Sequence, residues 1–164
     1  MTPHFDPLSA LRVLLRHEVE FVVIGGMAGR VWGSPSVTND LDICYSRTES
    51  NLARLSSALL ELEANLRGVD DPVPFTPDVP TLFAGDAFTL TTSAGFLDVM
   101  ATVGGVVGFD ELQRTAEPVE LADLVVPIAS LLDLIRMKRA AGRPKDLIEI
   151  EVLGAVLEER DRRQ

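Results

Sequence analysis

Cysteine is almost missing from this chain, and histidine, tryptophan and tyrosine are scarce: one Cys, two His, one Trp and one Tyr in 164 residues. A lone Cys44 cannot form an internal disulfide, which excludes a disulfide-stapled fold and suits a reducing compartment. With no basic group beside it on its apolar segment, Cys44 reads as a small core residue rather than a catalytic thiol. His4 and His17 lack the spacing of zinc ligands, and Trp32 reads as packing rather than a base-stacking platform. Long apolar runs are absent too. FVVIGG and LADLVVPIASLLDLI are broken by acids, prolines or glycines well short of the roughly 20 residues a membrane span needs. No basic-then-apolar signal opens the sequence, so a soluble, cytoplasmic protein with no membrane partner is expected. Positive charge is also short: the formal net charge is −10 and the pI near 4.6. That balance excludes holding nucleic acid by a broad basic surface. It leaves room for a local patch, because cations gather late, in RMKRAAGRPKD and the terminal ERDRRQ.

The composition, 46% hydrophobic, can build a core. A single domain over residues 1–164 is expected, its core at about 8–127 and a C-terminal helical part at about 128–161. Periodicity and breakers predict helices over Leu8–His17, Met27–Trp32, Glu49–Arg67, Asp110–Arg114, Ile128–Ala140 and Lys145–Arg160. Strands are predicted at Phe21–Ile24, Leu41–Tyr45, Ala87–Thr92, Gly95–Ala101 and near Val119–Leu121, with loops at Gly68–Pro80 and Gly104–Gly108. The fold class is α/β (α+β): a small, mixed, twisted sheet flanked by helices.

Acids in the wrong place point to chemistry. Asp40 and Asp42 sit in an apolar strand, where ionised carboxylates are expensive unless something neutralises them. Side chains alternate along a strand, so the two share one face and Leu41 and Ile43 the other. Two converging carboxylates can hold Mg²⁺, and paired metals are the usual clamp for displacement at phosphorus. Gly25-Gly26, between a strand and a helix, lets backbone approach a phosphate closely. Each half has a plain reading, a strand-to-helix turn and a solvated strand end, but their joint occurrence favours function. Asp98, inside the apolar GFLDVM, is as anomalous as Asp42. It either faces water from an edge strand or, if its hairpin packs beside the Leu41–Tyr45 strand, completes a three-carboxylate cluster.

The order hGG, helix, DhDh and a later hDh strand (h, hydrophobic) resembles the nucleotidyltransferase superfamily of the polymerase-beta type, including the minimal nucleotidyltransferases. The ending MKRAAGRPKDLIEIEVL is similar to that of the AbiEii-like branch, toxins of type IV toxin–antitoxin systems and their relatives. The resemblance runs from Phe21 to about Leu153. It implies Mg²⁺- or Mn²⁺-dependent transfer of a nucleoside monophosphate from a nucleoside triphosphate to an acceptor hydroxyl, with release of pyrophosphate. It implies Asp40, Asp42 and Asp98 as catalytic, metal-binding acids, with Asp98 orienting or deprotonating the acceptor. Gly25 and Gly26 would cradle phosphate. Where many members carry a serine after the first glycine, Gly26 leaves that contact to backbone N–H groups, Ser34 or Thr38. Lys138, Arg143 and Lys145 would reach the triphosphate, with Asp146 the acidic position among them; without the family, the same segment is a solvated helix corner. A −10 chain favours a small-molecule or protein acceptor over tRNA. A toxin checked by an antitoxin partner, or a catalytically degenerate binding protein, is the alternative.

Overall fold

Phe21-Val22-Val23-Ile24 offers no polar face, and such a strand is stable only where both of its faces are covered. In the computed structural model, which describes residues 4–68, 74–104 and 108–164, that is where it lies. The chain runs α1 (Pro7–Arg16), β1 (Phe21–Ile24), α2 (Gly25–Val31), β2 (Asp40–Tyr45), α3 (Glu49–Glu61) and β3 (Asn65–Leu66). It continues through α4 (Val79–Ala84), β4 (Ala87–Thr92), β5 (Gly95–Met100), α5 (Phe109–Thr115), β6 (Glu117–Leu121), β7 (Leu124–Ile128), α6 (Leu131–Ala141) and α7 (Pro144–Arg162).

The strands form one seven-stranded mixed sheet in the order β3-β4-β5-β2-β1-β7-β6. β1, buried throughout, pairs antiparallel with β2 and parallel with β7. β2 pairs parallel with β5, which joins β4 in a hairpin. The helices pack a core that includes Leu11, Leu14, Leu52, Leu55, Leu59 and Leu134, all buried. Asp6 caps α1 by accepting from the Ser9 N–H, and Thr48 caps α3 by accepting from the Asn51 N–H. Cys44 is fully buried, and that burial pushes its thiol up to about 12, so it is a core residue. Among the described residues no helix is long and apolar enough to cross a membrane.

The predicted helix over Glu49–Arg67 is wrong at its end. It stops at Glu61, Glu63 takes a left-handed backbone (φ 54), and Asn65–Leu66 joins the sheet beside β4. The segment LEANLR alternates apolar and polar residues, and buried Leu62 and Ala64 obey that period of two. Helix α4 begins inside the predicted loop Gly68–Pro80, capped by Asp78 with Pro80 in its first turn. The rest of that loop, and the break at Gly104–Gly108, fall partly on residues outside those described. The strand near Val119–Leu121 is half of a hairpin whose second arm, β7, takes the place of the start of the helix predicted from Ile128.

Candidate active site

The alternation expected of β2 holds. Leu41 and Ile43 are buried in the core, and Asp40 and Asp42 are half-buried on the other face. Pairing with β5 then does what spacing alone cannot. The parallel register sets Asp42 opposite Asp98, so residues 56 positions apart in sequence become neighbours. One carboxylate oxygen from each of Asp40, Asp42 and Asp98 lies within 4.8 Å of the others.

Crowding of like charge has the expected electrostatic result. Burial, then the charges of Asp40 and Asp98, push the Asp42 carboxyl up to about 8. Burial likewise raises Asp98, while the neighbouring Arg67 guanidinium draws it back down. Arg67 Nη2 donates to Asp98 Oδ1 at 2.6 Å, and the guanidinium carbon lies over the Phe96 ring, 4.3 Å from its centroid. Arg67 Nη1 is buried and has no hydrogen-bond partner among the described residues. Sequence reasoning missed Arg67 because it read that residue as the last turn of a helix. The alternating LEANLR would have put it on a strand, on the acid-bearing face.

Three half-buried carboxylates converging on one point are a hard-oxygen donor set, and that set fits Mg²⁺ or Mn²⁺. Gly25 approaches the same point from β1. Its φ is +69, and a Cβ there would run into the Asp42 carboxylate. A Cβ on Gly26 would come within 2.9 Å of Thr38 Oγ1. Thr38 Oγ1 in turn donates to the Asp40 main-chain oxygen at 3.0 Å, so Gly25, Gly26, Thr38, Asp40, Asp42 and Asp98 are brought together.

The remaining candidates stand further off. Ser34 is buried and donates to Glu149 Oε2 on α7 at 2.7 Å, and Ser36 donates to the same carboxylate. Glu149, which the sequence reading did not single out, thereby ties α7 to the loop between α2 and β2. Arg143 is bound at its own helix start, its Nε donating to Asp146 Oδ2 at 2.7 Å, although it lies near enough to feel the charge of Asp42. Lys138 is half-buried and lies within electrostatic reach of Asp146 and Glu149, and Lys145 is exposed in the first turn of α7. Trp32 donates its ring N–H to the Ala129 carbonyl at 2.8 Å, with Arg160 over its face, as a packing residue would.

No family model matches the chain, and no curated protein sequence matches it. Solved structures do share its fold. ANT(2'')-Ia in complex with adenylyl-2''-tobramycin is similar with a TM-score of 0.59 at 14% identity, over 92% of this chain and 87% of that one. The lincomycin-bound lincosamide antibiotic adenylyltransferase LnuA gives 0.59 at 14% identity, over 92% and 95%. TM1012 of Thermotoga maritima, described as a candidate nucleotidyltransferase, gives 0.50 at 17% identity, over 95% and 97%. The chain therefore has the fold of nucleotidyltransferases.

Proposed function

We propose that this chain is a Mg²⁺- or Mn²⁺-dependent nucleotidyltransferase, working as a single domain, that moves a nucleoside monophosphate from a nucleoside triphosphate to an acceptor hydroxyl. The observation that carries the reading is the convergence of Asp40, Asp42 and Asp98 beside a glycine whose Cβ would strike one of them, on this fold. Asp40 and Asp42 would hold the metal, with Asp98 near enough to share in it. A bound divalent cation supplies charge neutralisation for the triphosphate and the departing pyrophosphate. The open backbone at Gly25 and Gly26 would let phosphate oxygens approach, with the Thr38 hydroxyl beside them. Asp98 would orient the acceptor hydroxyl and take its proton. Lys138, Arg143 and Lys145 lie on the α6–α7 corner, from which a cation can reach a triphosphate, Arg143 only by leaving Asp146.

A small-molecule acceptor fits best. The net charge of −10 opposes RNA. Two structural neighbours were captured with antibiotics, one adenylylated tobramycin and the other lincomycin. The late basic segment is also less cationic than it reads, because Arg136 pairs with Asp133 and Glu111, and Arg143 with Asp146. The deciding experiment incubates the full chain with each labelled nucleoside triphosphate and Mg²⁺, against hydroxylated small molecules, bulk protein and total RNA in separate reactions. Label in a small molecule, lost in Asp42→Asn, is the expected result. Label in RNA would favour the AbiEii-like, antitoxin-checked reading, and nucleotide binding without transfer to any pool would mean a degenerate binding protein.

A further inference from the structure

In that reading Asp98 has two duties, sharing in the metal and taking the acceptor's proton. A carboxylate oxygen that gives its lone pair to a divalent cation is a poor proton acceptor, so the two compete. Arg67 bears on the outcome. Its main-chain N–H donates to the Thr89 carbonyl at 2.9 Å, and Thr89 is the β4 residue paired with Asp98. From that anchor the side chain reaches across the sheet face, passes over the Phe96 ring and donates to Asp98 Oδ1 at 2.6 Å. The two side chains are only 22% and 21% exposed, which sets this pair apart from solvent-screened surface pairs such as Arg12–Asp123, at 48% and 67%. The ring contact and the ion pair together hold the guanidinium, so a positive charge stands on one flank of the acid cluster.

We propose that Arg67 is a positioning residue that reserves Asp98 for the acceptor. It occupies Oδ1, and its fixed charge repels a divalent cation from that flank, so Asp40 and Asp42 are the carboxylates that hold the metal and Asp98 Oδ2 is left for the proton. The inference rests on the nucleotidyltransferase reading. In the step it implies, the acceptor O–H gives its proton to Asp98 Oδ2 and its oxygen bonds to the α-phosphorus. The bond from that phosphorus to the bridging oxygen of the pyrophosphate breaks, and the electron pair departs with the pyrophosphate.

The test is Mn²⁺ binding, followed by titration calorimetry on the full chain without nucleotide, with melting curves to verify folding. Wild type and Asp98→Asn should bind Mn²⁺ within about threefold of each other. Arg67→Gln should bind about tenfold more tightly, because Asp98 is released to the metal, and the gain should vanish in the double variant Arg67→Gln/Asp98→Asn. Arg67→Lys, which keeps the charge, should stay near wild type. A merely structural arginine would lower affinity and melting temperature together. An affinity in Arg67→Gln that is unchanged or weaker overturns the proposal, as does a tenfold loss in Asp98→Asn with Arg67 intact. If wild type and every variant fail to bind Mn²⁺, the metal-dependent reading itself falls and takes the inference with it.

Discussion

A polar cluster lies at each end of strand β2, and the two are built on opposite terms. Past its C-terminal end, Asn51 is fully buried with its hydrogen-bonding capacity used: its Oδ1 accepts from the Glu20 N–H at 2.7 Å, and its Nδ2 donates to the Glu20 and Ser46 carbonyls at 3.0 and 2.7 Å. At the other end, Asp40 and Asp42 gather with Asp98, like charge against like charge, and the cation that joins them has one nitrogen without a partner among the described residues. The first cluster is what a fold needs to tie a helix start to a sheet. The second gathers like charge at a cost to stability, as the proposed chemistry would require.

The sharpest way to separate the two ends is Asp42→Asn. Transfer should fall by at least about a thousandfold in the labelled-nucleotide assay, while the melting temperature in chelating buffer stays level or rises, because the variant no longer has to keep a half-buried carboxyl from ionising. An unfolded variant would make the acid end structural and erase the contrast.

Asn51→Ala should do the reverse. It strands an N–H and two carbonyls, a loss of about 2–3 kcal/mol, so thermal denaturation should move down by roughly 5–10 °C. Mn²⁺ affinity measured on the folded protein should not change.

Gly25→Ala probes where the two kinds of role meet. At φ +69 an alanine is strained by about 1–2 kcal/mol, and its Cβ would displace the Asp42 carboxylate. A melting point lower by a few degrees, together with Mn²⁺ binding weakened about tenfold, is expected. Retention of full metal affinity would detach Gly25 from the site.

The last test is one of pH. Asp42 is pushed up from 3.8 to about 8, so the folded, metal-free protein holds a proton that the unfolded chain releases. Stability from this group is whole below about pH 4, declines as pH rises to about 8 and falls no further beyond it. Melting temperatures across that range in chelator should decline more steeply for wild type than for Asp42→Asn. Parallel curves would mean that the carboxyl is ionised throughout.

What the sequence determined by itself is whatever one stretch of backbone enforces. A four-residue apolar run must be a covered strand, a period of two must put Asp40 and Asp42 on one face, and two glycines between strand and helix must leave bare backbone at that turn. Asp98 was recognisable as anomalous, but its place beside Asp42 depends on β5 pairing parallel with β2 in one register, and nothing local to either strand selects that partner. The same holds for Arg67 and Ser34. A left-handed Glu63 takes Arg67 out of a helix and onto the sheet, where it meets Asp98, and a glutamate from α7 takes up the Ser34 hydroxyl that the sequence left free for phosphate. Tertiary structure decided these because hydrogen-bond partners and counter-charges are chosen by whichever groups the packed core brings within about 3 Å, however far apart they lie along the chain.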